Sequence, residues 1–143
     1  MAALTAARST KQMEGGPLPR QMSFPVKGST TIYQGSLVAL NAGYAAPGAI
    51  ATGRIVVGRA KRTVINSGAD GAATVEVEAG VFVWGNSASG DLCAQADVGA
   101  SCYIIDDQTV AKTSNGSTRS VAGIIVQVDT DGVWVMSGLG ISA

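Results

Sequence analysis

The stretch TVEVEAGVFVW, Thr74 to Trp84, decides the fold class. Its odd positions, Val75, Val77, Ala79, Val81 and Val83, are all apolar, while its even positions run Thr74, Glu76, Glu78, Gly80, Phe82 and Trp84. A period of two is that of a β-strand, whose successive side chains point to opposite faces. One face is therefore core along its whole length. The other begins charged and ends aromatic, so something must cover Phe82 and Trp84: a second sheet, an extended arm, or another subunit.

Outward from this strand the pattern stays β. Thr30 to Tyr33 and Leu37 to Leu40 are short apolar runs split by Gln34-Gly35, and Asn41 to Gly48 reads as a loop. Arg54 to Ile65 reads as one longer strand, with Gly58 placed for a bulge. Asp91 to Gly99 allows a single helical turn, Ser101 to Ile105 resumes a strand, and Asp106-Asp107-Gln108 turns the chain into Thr109-Val110-Ala111. Thr113 to Ser120 is a polar loop. The final pair, Val121 to Val128 and Val133 to Met136, flanks Asp129-Thr130-Asp131-Gly132 as a hairpin. Short strands at this spacing, with no long helical period, predict a small all-β body, a β-sandwich or a jelly-roll-like barrel, over residues 28–143.

Residues 1–27 differ. Gly15-Gly16-Pro17-Leu18-Pro19 and Phe24-Pro25 break any helix that Ala2 to Met13 starts, so this part reads as an extended N-terminal arm. Arms of this kind are ordered by a partner or fold back as an edge strand. Deleting residues 1–25 is expected to leave the body folded.

The 143 residues suit one domain, which buries roughly 70% of its unfolded surface. With 46% hydrophobic and 14% charged residues the chain is too apolar for disorder, and 19 glycines imply many turns. Gly28 to Gly53, the longest uncharged stretch, is too interrupted by polar residues and glycine to cross a membrane as a helix. Arg8 and Lys11 stand where a signal peptide needs its apolar region, so export by a cleaved signal is not expected. Asn115-Gly116-Ser117 matches a glycosylation acceptor that matters only in a secreted protein. Cys93 and Cys102 lack metal spacing; they read as half-buried thiols in a reducing compartment, with a disulfide as the alternative.

The net charge is zero, but residues 1–62 carry +7 and residues 63–143 carry −7. Such a split fits nucleic-acid contact, complementary subunit surfaces, or two halves that intermingle and cancel. Arg59, Lys61 and Arg62 lie in a strand pattern without interleaved aromatics, so stacking on single-stranded bases is not expected.

Catalytic and metal patterns are weak. The chain has no histidine, which excludes Ser-His-Asp and Cys-His arrangements and imidazole ligands. Reading Asp129, Asp131 and Gly132 as positions three, five and six of a calcium loop leaves Gln127 first and Gly138 last, so both end ligands are missing. The stretch reads as a turn. Asp106 and Asp107 read as solvated turn acids rather than a carboxylate pair, because neighbours on a strand point apart. Gly138 to Ala143 spells GxGxxA, but the sequence ends where the phosphate-binding helix would begin. No cofactor and no metal is expected.

Three segments carry a family likeness: TIYQGSLVALNAGYAAPG (Thr31 to Gly48), VGRAKRTVINSGADGAATVEVEAGVFVW (Val57 to Trp84) and ADVGASCYIIDDQTVAKTSNGSTRSVAGIIVQVDTDGVWV (Ala96 to Val135). Together they resemble the capsid cement, or head decoration, proteins of tailed bacteriophages. The resemblance implies a β body that oligomerises as a homodimer or homotrimer on the outer capsid surface and bridges neighbouring major capsid subunits of the HK97 type. No enzyme activity, no membrane and no direct nucleic-acid contact are expected. The candidate capsid or subunit contacts are Arg8, Lys11, Arg20, Lys27, Phe82 and Trp84. A different class, a carbohydrate- or receptor-binding module of a phage tail or cell surface, would draw its stacking platform from Trp84, Trp134, Tyr33, Tyr44 and Tyr103. A metal-dependent enzyme would have to rely on Asp106 and Asp107.

Overall fold

A computed structural model describes residues 2–13 and 20–141. The strands are β1 (Gln12–Met13), β2 (Arg20–Pro25), β3 (Thr30–Ile32), β4 (Leu37–Asn41), β5 (Tyr44–Pro47), β6 (Ile55–Ala60), β7 (Val64–Asn66), β8 (Thr74–Trp84), β9 (Ser101–Ile104), β10 (Val110–Ala111), β11 (Val121–Asp129) and β12 (Gly132–Ser137). Two 3-10 turns, Ser89–Asp91 and Gln95–Asp97, are the only helical pieces among the described residues. The protein is an all-β sandwich. Gly15 to Pro19, the breakers of the N-terminal segment, lie outside the described residues, as do Ser142 and Ala143 of the GxGxxA match.

The decisive stretch is one continuous strand, β8, and it belongs to two curled sheets. Its first half pairs with β2 and β6, and its second half pairs with β12 and β1. From β8 the first sheet runs through β6 and β4 to β5, and a parallel bridge from Val26, just beyond β2, to Ala45 of β5 returns it to its start. The second runs through β12, β11 and β9 to β10, and the bridge Gly85↔Thr109 brings it back to the end of β8. Each sheet is thus a ring of five strands, and the rings share β8. The separate pair β3–β7 lies against the first ring through Ile32 and the partly buried Val64.

Burial follows the sequence pattern of β8 and refines it. Val75 and Val77 enter one core with Val26, Val38, Ala45 and Val57. Phe82 and Trp84 enter a second core with Ile104, Ile125, Val133 and Val135. Val81 and Val83 leave the first core and pack instead with Trp134. β4 serves both main cores, with Leu37 and Ala39 in one and Val38 in the other, which is why its sequence is a continuous apolar run.

Several expectations need correction. Asn41 to Gly48 is not a loop: β4 and β5 form a hairpin, and the two residues between them, Ala42 and Gly43, both have positive φ, 52° and 88°. That is the backbone of a tight primed turn, hidden in the sequence by an alanine in a position that favours glycine or asparagine. Arg54 to Ile65 breaks at Lys61 into β6 and β7, while Val57 is the extra residue of a bulge beside Gly58. The last hairpin forms where the sequence places its turn, at Asp129 to Gly132, with Asp129 and Gly132 paired across it. Thr130 and Asp131 make the turn with ordinary φ, and Gly132 alone is positive, at 137°, where a Cβ would collide with the Trp84 carbonyl.

The N-terminal segment is extended, and much of it lies along the body. β1 pairs with β8 at Phe82 and Val81, and β2 pairs with it from Ala79 to Thr74. Because β2 is a member of the first ring, removing residues 1–25 would open that ring rather than shed a free arm.

Candidate functional site

Four of the six residues singled out as contacts, Arg8, Lys11, Phe82 and Trp84, meet at one seam, where residues 2–13 cross β8. Phe82 and Trp84 lie edge to face, with ring centroids 6.1 Å apart, and both are fully buried. What covers them is the chain itself. The Arg8 guanidinium sits 5.5 Å from the Trp84 ring centroid, and that of Arg59 sits 4.5 Å from the centroid of Phe82. A cation over an aromatic face is attracted by the ring quadrupole. Phe82 and Trp84 therefore offer no surface to a capsid or subunit, contrary to the sequence reading.

The crossing is stitched at short intervals. The Leu4 N–H donates to Asp107 Oδ1 at 2.9 Å, and the Arg8 N–H donates to the Gln34 carbonyl at 2.8 Å. Buried Thr10 donates its hydroxyl to the Gly35 carbonyl at 2.5 Å and accepts from Arg8 Nη1 at 3.0 Å. The Val83 N–H donates to the Lys11 carbonyl at 3.1 Å, and Arg59 donates to the Thr10 carbonyl at 2.6 Å. Gly35 makes the crossing possible: its φ is 86°, and a Cβ there would strike the Arg8 carbonyl. Arg59 also pairs with Glu78, so its charge is spent within the body.

Arg8 is therefore not a free cation awaiting an acidic partner. Its guanidinium also donates to the Val83 carbonyl at 3.2 Å, and burial holds its pKa below the ordinary value against the opposing pull of Asp107. Lys11 remains largely exposed and pairs with Asp131 at 3.4 Å, tying the segment to the DTDG turn. Lys27 pairs with Asp70 at 3.9 Å. Such exposed pairs are worth little individually. Arg20 opens β2 opposite Ala79, and its side chain lies outside the described residues.

The charge split resolves as intermingling: Lys11–Asp131, Lys27–Asp70 and Arg59–Glu78 each join the basic half to the acidic half. Among the described residues, Arg54, Lys61 and Arg62 make no ion pair. Lys61 and Arg62 sit in the break between β6 and β7, close in sequence to Ile65, whose side chain is 70% exposed.

Asp106 and Asp107 are not solvated turn acids. They are 8% and 2% exposed. Asp106 accepts from the Gln108 N–H at 2.9 Å, closing its own turn, and Asp107 holds Leu4. Burial pushes the Asp107 pKa up, with the Leu4 hydrogen bond opposing. Each carboxylate thus has a structural duty, and no group of three or more metal-binding side chains occurs among the described residues. Asp129 is occupied too: it accepts from Gln127 and Trp134 on Oδ2 and from the Asp131 N–H on Oδ1, all at 2.8 Å. These bonds, that from Gln127 foremost, hold its pKa below the ordinary carboxylate value.

Cys93 and Cys102 are unbonded and buried in the second core, more deeply than half-buried. Burial pushes the Cys93 thiol up to about 11 and raises that of Cys102 further. Both behave as small apolar residues. Of the aromatic platform, Trp84 and Trp134 are buried, and Tyr103 lines an open cleft, beside Arg54 and a group of hydroxyls. Sequence reasoning had no signal for that cleft, because the residues forming it lie far apart in the chain.

No family model, no curated protein and no solved structure matches this chain.

Proposed function

We propose that the protein is a structural cement, or decoration, protein of a tailed-phage capsid, bridging neighbouring HK97-type major capsid subunits on the outer surface. The observation that supports this most directly is the pair Lys61 and Arg62 near exposed Ile65. These cations have no partner among the described residues while most other charges are paired, and an exposed apolar residue, Ile65, follows them within four positions of the sequence. An unpaired cationic edge with an apolar neighbour suits a surface that is acidic and partly apolar. The contact set accordingly moves from Arg8, Phe82 and Trp84 to Lys61, Arg62 and Ile65, with Lys11 and Lys27 as exposed accessories. A clamp that binds only the assembled lattice stabilises it by mass action, and several weak contacts per copy act together.

The test is to add purified protein to mature undecorated shells and to free capsid subunits. Retention on shells over subunits, with a higher shell melting temperature, is expected, and charge reversal at Lys61 and Arg62 should weaken it. Shells that melt at the same temperature with and without the protein would refute the proposal.

A second reading, a carbohydrate- or receptor-binding module, is favoured by one observation: Tyr103 borders a polar cleft shared with Arg54, which makes no ion pair among the described residues.

A further inference from the structure

The open cleft of about 420 Å³ between the loop Thr52-Gly53-Arg54 and the segment 114–121 is lined by several hydroxyl-bearing residues, Tyr103 among them. Its volume falls within the range of about 300–1,000 Å³ common to small-molecule sites. Its walls are fixed to each other. The Arg54 N–H donates to Ser120 Oγ at 3.0 Å, and Ser120 donates onward to the Ala51 carbonyl at 2.7 Å. The opposite wall is a closed turn in which the Ser117 N–H donates to Ser114 Oγ at 3.1 Å and the Thr118 N–H to the Ser114 carbonyl at 2.9 Å. A site whose backbone is already held loses little freedom when a ligand enters.

The charge of the cleft narrows the ligand. Arg119, whose side chain is only 10% exposed, is neutralised by Asp91 at 3.2 Å. Its Nε is buried without a hydrogen-bond partner. Arg54 has no acidic partner among the described residues, so one positive charge is uncompensated. The backbone N–H groups of Arg54, Ser117 and Thr118 are already bonded within the protein, so these three are not free to hold a phosphate dianion. A single carboxylate matches a single guanidinium fork. Among the described residues the hydroxyls of Thr52, Ser117 and Tyr103 make no hydrogen bond and can exchange bonds with a polyol, while the Tyr103 ring can cover an apolar C–H face.

From this arrangement we infer that the cleft binds a carboxylated sugar, with Arg54 taking the carboxylate, Tyr103 the ring face, and Thr52 and Ser117 the hydroxyl groups. This deepens the second reading above. Glycan capture on some other face would leave that reading standing while removing this cleft.

Sodium glucuronate is the probe, titrated into the full chain and followed by calorimetry and by amide shifts in NMR, with glucose and inorganic phosphate in parallel. The expected result is saturable glucuronate binding with a Kd on the order of 1 mM, with shifts at Thr52, Arg54, Tyr103 and Ser117. Arg54→Ala should weaken it by about tenfold or more, the worth of a lost charge-assisted hydrogen bond, and Ser117→Ala by less. The wild-type shift map carries the test even if Arg54→Ala proves unstable. Absence of saturable glucuronate binding, shifts confined to another face, equal affinity for glucose, or phosphate binding as tightly at the same residues would each overturn the inference.

Discussion

The seating of the N-terminal segment is open to a sharp test at Thr10. Replacing it with valine keeps the shape and removes the hydroxyl, which donates to the Gly35 carbonyl and accepts from Arg8. Thr10 is 6% exposed, so water does not freely replace the lost partner. An ordinary hydrogen bond contributes about 1 kcal/mol net, and a buried carbonyl left without its donor costs about 1–3 kcal/mol. The two do not add in full, since both count the Gly35 carbonyl, so a loss of about 2 kcal/mol is expected for Thr10→Val. In a chain of this size that lowers the melting temperature by roughly 4–8 °C. The assay is urea unfolding followed by tryptophan fluorescence, with a lower midpoint at unchanged m-value. Ser9→Ala, at an exposed neighbouring position, is the control and should stay within about 0.5 kcal/mol. A Thr10→Val protein as stable as wild type would mean that residues 2–13 do not occupy this seam.

Three further outcomes follow from the same geometry. Gly35→Ala meets both a positive φ and the Arg8 carbonyl, whereas Gly116→Ala at φ 71° meets open space. The second should lose about 1–2 kcal/mol from backbone strain alone, and the first clearly more, by parallel denaturation. Asp107 has a raised folded pKa, so the native state holds its proton more tightly than the unfolded chain, whose aspartate titrates near about 3.9. Its contribution is thus fully present below that pH and is lost as pH rises through the folded value. Asp107→Asn should remove this fall, flattening the pH dependence of stability on the acid side of neutrality in a pH series of melting curves. Finally, neither thiol should react with a disulfide reagent in the native protein at pH 8, because Cys93 and Cys102 are buried and their thiolates disfavoured, and both should react once urea unfolds the chain.

Much of the architecture was legible in the residues. The alternation from Thr74 to Trp84 marked β8 to its ends, and the valine runs around Thr130-Asp131 marked the β11–β12 hairpin. What escaped did so for identifiable reasons. β5 carries Ala45, Ala46 and Pro47, a composition without β-branched or aromatic enrichment, and pairing with β4 overrides it. Asp106 and Asp107 look like surface acids until the Gln108 and Leu4 N–H groups are brought to them, Leu4 from more than a hundred residues away. The coverage of Phe82 and Trp84 was rightly posed as a question, but no local pattern could say that Arg8 and Arg59 would answer it. Arg54 and Tyr103 had the same difficulty: each is ordinary in its own strand neighbourhood, and only tertiary contact makes them face one cleft.

The strand common to both rings has a mechanical consequence. Load applied to one side of the molecule passes to the other along a single covalent backbone, with no hinge of weak contacts between two lobes. Shearing either ring must disturb the registry of the other, so the body resists deformation as one stiff unit.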